Sequence, residues 1–342
     1  MKKFLCIFLC ALMVLSVMTF ASCTETSSEN PTEAPTEAPA DSAALKFGLG
    51  VHISAPTVAN ATEDKNGSGK VAITAAVITV DADGKVVACQ LDTMENSVAH
   101  TLDGKAVAGE GFKTKHEQGA DYNMIAWGGA AKEWFEQADA FETVVVGKTL
   151  NEIKALVAEA DKGTDEVISA GCTIMIAEFV KAVEAAFGNL AESTITAENT
   201  LKLGMSTEQT VKDATEDKNG SNKVETTIFA AAVDADGKVV AALTDCVQVD
   251  FAFTVAGASA LDTTKAIASK RQQGADYGMV AWGGAAKEWF EQADAFAALC
   301  VGKTATEIAA LAAADNYGTD EVKNAGCTIL VNGFVKAAAK IG

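Results

Sequence analysis

Apolar runs separated by turn-forming residues predict pairs of antiparallel strands. Val71–Val80 is apolar and rich in β-branched residues, and Lys85–Asp92 continues this character after Asp83-Gly84. An Asp-Gly pair between two such runs is typical of a hairpin. Asn66-Gly67, just before the first run, indicates another tight turn. The pattern therefore predicts an antiparallel hairpin or meander.

Apolar residues at helical spacing follow the strands. They recur every three or four positions across Ala130–Val144, which ends before Gly147. Thr149 with Glu152 three residues later forms a capping-box pattern at the start of a second helix. Ile174–Phe187 repeats the helical spacing. The pattern predicts three helices packed on one face of the sheet.

The chain repeats itself. Ala61–Ser68 returns as Ala214–Ser221, and Gly119–Phe141 returns as Gly274–Phe296 with changes at positions 123 and 125 alone. We call Gly119–Phe141 and its copy the tryptophan boxes, because together they hold all four tryptophans. Residues 88–118 and 241–273 have diverged much further.

This self-similarity predicts two tandem copies of one domain. We place repeat 1 at residues 45–190, a polar linker at 191–200 and repeat 2 at 201–342. The predicted fold class is α+β, each copy being an antiparallel hairpin or meander sheet with three helices. Each copy is long enough to bury a core of its own.

The amino terminus has the pattern of an export signal. Lys2 and Lys3 precede the apolar run Phe4–Phe20, and Phe20-Ala21-Ser22-Cys23 resembles the lipobox of bacterial lipoproteins. The resemblance implies that residues 1–22 are a signal peptide and that Cys23 is lipidated. The alternative is an ordinary secretory signal followed by an incidental cysteine. Residues 23–44 are rich in Thr, Pro and Glu, which predicts a disordered tether.

These features place the protein on the extracytoplasmic face of a cell-envelope membrane, anchored through Cys23. The chain has 46 acidic and 27 basic residues, and its net charge is −19. Loss of Lys2 and Lys3 with the signal would take that charge to −21. Such acidity argues against nucleic acid as a partner, because phosphate contacts need a basic face.

The remaining cysteines do not indicate disulfides or metal ligation. Five lie beyond the lipobox, scattered and without any Cys-x-x-Cys pair. None of the three histidines recurs in both copies. We therefore expect free, mostly buried thiols and no metal site, and no catalytic residue is assigned. The five cysteines are Cys89, Cys172, Cys246, Cys300 and Cys327.

The segment Gly171-Cys172-Thr173 recurs before the last predicted helix of each copy. Its counterpart contains Gly326 and Thr328. A glycine allows close backbone approach, and a hydroxyl at the start of a helix lies beside unpaired N–H groups, which receive a phosphate well. A plain helix N-cap by threonine is the alternative.

The order of parts resembles the FMN-binding domain of bacterial membrane-associated electron-transfer proteins. Both have a strand, an Asp-x-Asp-Gly-Lys turn, a second strand and a late Gly-x-Thr motif. The family has Ser-Gly-Ala-Thr there, whereas this chain has Ala-Gly-Cys-Thr at residues 170–173 and 325–328. By position, the resemblance implies FMN as the cofactor, with its phosphate joined to or held by Thr173 and Thr328.

Trp127 and Trp282 precede Gly-Gly pairs rather than lying within a predicted helix. They would flank the flavin ring, whereas the alternative is that the tryptophans fill the core. Two functions therefore remain open. The first is an envelope flavoprotein that exchanges electrons with a redox partner protein. The second is a non-enzymatic module that binds a surface ligand such as a peptide or glycan, without a cofactor.

Overall fold

The computed structural model describes residues 44–109 and 111–342. The predicted signal peptide, Cys23 and all but the last residue of the predicted tether lie outside these described residues. We refer to residues 44–190 as the N-terminal half and to residues 200–342 as the C-terminal half. The fold is mixed α+β, as the sequence predicts, and contains two antiparallel sheets.

The described strands form one five-stranded and one three-stranded sheet. In the first, the order is β1-β3-β4-β5, with β2 also paired to β3, and in the second it is β6-β7-β8. Both are meanders, as the Asp-Gly turns predict. The strands are β1 (Lys46–Ile53), β2 (Thr57–Ala59), β3 (Gly67–Val80), β4 (Val86–His100), β5 (Ala106–Val107), β6 (Thr200–Lys212), β7 (Ser221–Val233) and β8 (Val239–Asp250).

Each half of the described chain has five α-helices, so the prediction of three was wrong. The extra helices span four to six residues, which is too short to produce a helical periodicity. The N-terminal half has α1 (Lys115–Gln118), α2 (Trp134–Val145), α3 (Leu150–Lys154), α4 (Asp165–Ala170) and α5 (Ala177–Gly188). The C-terminal half has α6 (Lys270–Gln273), α7 (Trp289–Cys300), α8 (Ala305–Ala309), α9 (Asp320–Ala325) and α10 (Asn332–Ala338).

The two sheets pack face to face, and helices cover their outer faces. Ile73 and Ala75 of β3 belong to the same buried cluster as Ile228 and Ala230 of β7. The alternate residues of β3, such as Ile78, pack instead in a cluster with α2 and α5. Because both faces are buried, β3 is a nearly continuous apolar run rather than an alternating one.

Direct contacts join the two halves at the ends of the strands. The ring of His100 stacks on that of Phe253, with centroids 4.5 Å apart and planes 4° apart. The amide of Ala61 donates to the carbonyl of Gly257 over 2.8 Å. The amide of Ala214 donates to the carbonyl of Gly104 over the same distance. Ala214 lies 153 residues after Ala61, and Gly257 lies 153 residues after Gly104, which is the spacing of the sequence repeat. The two contacts are therefore reciprocal.

Helix α5 lies so close to β1 that a side chain does not fit at Gly50. A Cβ atom there would overlap the backbone of Ala182 and Ala186. We expect Gly50→Ala to push α5 from the sheet and to lower the free energy of unfolding by about 2–3 kcal/mol. Urea unfolding of the protein measures this.

The matched control is Gly188→Ala at the end of α5, where a Cβ would have no neighbour within 4 Å. Its free energy of unfolding should change by less than about 1 kcal/mol. Equal effects of the two substitutions would contradict the close approach of α5 to β1.

Candidate functional site

A cavity lies between the sheet and the helices in each half. The cavity of the N-terminal half, which we call the N-pocket, has a volume of about 430 Å³, and the C-pocket of the C-terminal half has about 470 Å³. Both volumes suit a small organic ligand. Six residue types line both pockets at matching positions: Lys115 and Lys270, Tyr122 and Tyr277, Met124 and Met279, Trp134 and Trp289, Ile174 and Ile329, and Phe179 and Phe334.

A lysine lies against the aromatic wall of each pocket. In the C-pocket, Lys270 Nζ is 5.1 Å from the ring centroid of Tyr277 and 5.6 Å from that of Trp289. In the N-pocket, Lys115 Nζ is 4.8 Å from the ring of Tyr122. These distances allow cation–π attraction, which holds the ammonium group at the pocket.

Each lysine also has a carboxylate partner. Lys270 Nζ lies 2.8 Å from Glu225 Oε1, and Lys115 Nζ lies 3.6 Å from Glu95 Oε2. Burial tends to raise the pKa of Glu225, but the charges and hydrogen bonds of Lys270 and Lys223 together outweigh burial and lower this pKa below its usual value. The C-pocket therefore contains an ionised pair.

The two carboxylates come from different strands but belong to equivalent cross-strand pairs of the two sheets. Glu95 lies on β4 opposite Ala72 of β3. In the C-terminal half, Glu225 lies on β7 opposite Gln248 of β8. Ala72 matches Glu225 in the repeat, and Glu95 matches Gln248, so the acidic residue has changed strands while its cross-strand position is the same.

The Lys270 ammonium group has N–H donors without a partner among the described residues. It is 6% exposed, and its ammonium group makes one hydrogen bond to described residues, with Glu225. An ammonium has three N–H donors, and a buried donor without an acceptor is unfavourable. The C-pocket can therefore receive a hydrogen-bond acceptor from a ligand at Lys270.

The predicted ring-flanking tryptophans line neither pocket. Trp127 is 88% exposed and Trp282 is 90% exposed. Their loops are nevertheless held in place, since the buried Glu133 carboxylate accepts hydrogen bonds from the amides of Met124 and Ile125, over 2.9 and 3.3 Å. Glu288 does the same in the C-terminal half, at 3.0 and 3.2 Å. Each tryptophan is thus presented to solvent on an ordered loop.

The predicted phosphate-binding threonines already have a partner. The amide and the hydroxyl of Thr173 both donate to Gln137 Oε1 over 2.9 Å. Thr328 makes the same two bonds to Gln292. Gln137 Nε2 in turn donates to the carbonyl of Lys132, so the glutamine ties α2 to the turn that contains the threonine.

One expectation about this turn was wrong. Thr173 does not open the last helix, because α5 begins at Ala177. Gly171 has a left-handed conformation with φ of 106° and ends α4, as Gly326 ends α9 with φ of 102°. A glycine is favoured at this C-cap position because it has no Cβ, whatever binds nearby.

In neither half, therefore, do the three predicted cofactor residues surround one cavity. Thr328 borders the C-pocket, whereas in the N-terminal half Ile174, and not Thr173, lines the cavity. Lys115 and Lys270 were not predicted from the sequence. Their signal was present, because they recur at the spacing of the tryptophan boxes, but they lie within the diverged segments and attracted no motif.

The thiols of the described chain are free, as expected, and are poor nucleophiles. Burial raises the pKa of Cys172 and of Cys327 to about 11, and that of Cys246, which lines the C-pocket, to about 12. These groups stay protonated at neutral pH, and the thiolate is the nucleophilic form. No histidine lines either pocket among the described residues.

No protein-family model matches this chain, and no curated protein and no solved structure is significantly similar to it. Within the residues that the structure describes, no helix combines the length and apolar character that a bilayer span requires.

The ion pair at the C-pocket predicts a pH-dependent contribution to stability. Glu225→Gln leaves the Lys270 ammonium buried without its counter-charge, so we expect a loss of about 2–3 kcal/mol in the free energy of unfolding at pH 7. Because the folded-state pKa of Glu225 is lowered, the difference from wild type should shrink as the pH falls below about 4.5. Urea unfolding at pH 7 and pH 3.5 measures both effects.

Glu95→Gln is the matched control in the N-pocket. Its carboxylate is farther from the lysine and more exposed, so the loss should stay below about 1 kcal/mol. An effect of Glu225→Gln that is equal at both pH values would contradict the assigned ion pair.

Proposed function

We propose that the protein is an envelope lipoprotein, anchored through Cys23, in which two tandem copies of one domain each bind a small molecule. We further propose that it binds without catalysing a reaction. The export pattern of residues 1–22 and the lipobox at Phe20-Ala21-Ser22-Cys23 support the location. The sequence repeat supports the duplication, and so do the reciprocal contacts of Ala61 and Ala214.

One observation carries the binding proposal: both halves hold the same pocket. Each pocket combines a lysine with a wall of tryptophan, tyrosine and phenylalanine at matching positions. Lys270 offers unused N–H donors at the floor, while Trp289 and Phe334 offer apolar surface. This combination suits a ligand with an apolar, planar body and one hydrogen-bond-accepting or anionic group.

The chemistry of the lining favours binding over catalysis. A nucleophilic mechanism needs an activated group next to a base. The Cys246 thiol is protonated, since burial raises its pKa to about 12, and neither pocket has a histidine among the described residues. Lys270 is committed to Glu225 as an ion pair, which keeps it a cation rather than a free amine.

FMN is the second candidate, as a ligand that would support electron transfer to a partner protein. It is favoured by Thr328, which borders the C-pocket beside the rings of Tyr277 and Trp289. A bound flavin would supply the redox chemistry, and the aromatic wall would hold its ring. Covalent attachment at Thr328 would have to break the hydroxyl's bond to Gln292.

The exposed Trp127 and Trp282 support contact with a partner surface. Tryptophan is enriched at the centres of protein interfaces, and an ordered loop presents it with little loss of entropy on binding. Nucleic acid is disfavoured by the acidic composition.

A planar anionic probe tests the pockets. We expect the mature chain to bind two equivalents of 1-anilinonaphthalene-8-sulfonate by titration calorimetry, since this probe has an apolar body and one sulfonate. Lys270→Met should weaken one of the two sites at least about tenfold, because the sulfonate loses its cationic donor. Lys115→Met should weaken the other, and Lys212→Met, which changes an exposed lysine that lines neither pocket, should alter neither.

Flavin is tested on the same preparations. Colourless protein that does not bind added FMN leaves the cofactor-free module, whereas flavin absorbance and added flavin mass support the second candidate. Loss of that mass in the Thr173→Ala, Thr328→Ala double variant identifies the attachment points.

In the test with the anionic probe, binding that neither Lys270→Met nor Lys115→Met changes would overturn the assignment of the pockets.

A further inference from the structure

The two halves differ in how they balance a partly buried acidic cluster on the side of the sheet next to α2 and α7. In the C-terminal half, Arg271 is the cation of this cluster. Its Nη2 atom lies 2.6 Å from Asp294 Oδ1, and its amide donates to Asp245 Oδ1 over 3.1 Å. Two carboxylates and one permanent guanidinium give the cluster one net negative charge.

The N-terminal half has a histidine where the other half has this arginine. His116 matches Arg271, while Asp92 and Asp139 match Asp245 and Asp294. His116 Nε2 lies 3.0 Å from Asp139 Oδ1, and Nδ1 lies 3.3 Å from Asp92 Oδ1. The imidazole is therefore held between two carboxylates in the place of the guanidinium.

A third carboxylate completes the N-terminal cluster. Glu142 matches Ala297, so the other half has no counterpart to it. Donor atoms of His116, Asp139 and Glu142 all lie within 4.8 Å of one another. The Leu91 amide donates to Glu142 Oε1 over 2.7 Å and fixes this side chain.

We propose that His116, Asp139 and Glu142 bind a divalent transition-metal ion of the Zn²⁺ type, at a site that only the N-terminal half has. One imidazole nitrogen and two carboxylates are ligands that Zn²⁺ accepts. Asp92 lies on the other side of the imidazole, where its Oδ1 atom is 3.3 Å from Nδ1 and accepts a hydrogen bond from the His116 amide over 3.2 Å. On binding, the imidazole gives its proton to the solvent, and its nitrogen lone pair forms the bond to the metal.

Charge and access both fit this assignment. Three carboxylates with a divalent ion and a neutral imidazole carry one net negative charge, which equals that of the arginine cluster. The Asp139 side chain is 58% exposed, so an ion reaches this side of the imidazole directly from solvent.

The repeat supplies variants that the fold already accommodates. Titration calorimetry of the mature chain with ZnCl₂ should give one equivalent bound. Glu142→Ala copies the residue of the other half and should weaken zinc binding at least about tenfold. His116→Arg places a permanent cation in the cluster and should abolish binding. Both variants should fold, because Ala297 and Arg271 occupy these positions in the C-terminal half.

The reverse exchange is the second arm. The Arg271→His, Ala297→Glu double variant should create a second zinc equivalent next to Asp294. Zinc bound elsewhere, for example at the half-buried Cys89 thiol, would be unchanged by Glu142→Ala and His116→Arg. That result, or no heat of binding at all, would overturn the site and leave His116 as an imidazolium that replaces Arg271.

Discussion

Burial of both faces of the central strands β3 and β7 is the constraint on which the rest of this structure depends. All residues of β3 from Ile73 to Val80 are buried, and so are those of β7 from Thr226 to Val233. One face of each strand contacts the opposite sheet, and the other face contacts helices. Water does not reach a polar side chain in these strands, so its hydrogen bonds must come from within the protein, and the Thr79 hydroxyl of β3 is an exception that has no partner among the described residues.

The polar residues of the sheets show how this requirement is met. Asn96 reaches across to the other sheet, where its Nδ2 atom donates to Thr226 Oγ1 over 2.8 Å. Lys270 meets Glu225 at the edge of the helix-covered face, where the apolar core ends. The pockets begin at this boundary, since there an ionic group and an aromatic wall come together. The candidate site thus lies where the apolar part of the buried strand ends.

Local patterns predicted the hairpins and the main helices, because these depend on neighbouring residues. Asp81 accepts hydrogen bonds from the amides of Asp83 and Lys85, and Gly84 has a positive φ, as an Asp-Gly turn requires. Local patterns could not predict the pockets, because the residues that line them are far apart in the sequence. Lys270 and Glu225 are 45 residues apart, and the partner of the matching lysine lies on a different strand. The prediction for Thr173 was wrong for a related reason. Gly171 ends one helix, the five residues 172–176 precede the next, and sequence spacing does not separate these elements.

The uneven divergence of the proposed copies has a physical explanation in their contact. Near that contact a residue meets its own counterpart, as His100 meets Phe253, so a change in one copy alters what the other must accommodate. His100 and Phe253 differ and lie in the diverged segments, whereas the identical Ala61 and Ala214 contact the other half through backbone atoms, which do not depend on the side chain. The bonds of Glu133 and Gln137 close within their own half, so the same tryptophan box serves both copies. His116 and Arg271 lie in the diverged segments as well, and this is the region where one copy can acquire a site that the other lacks.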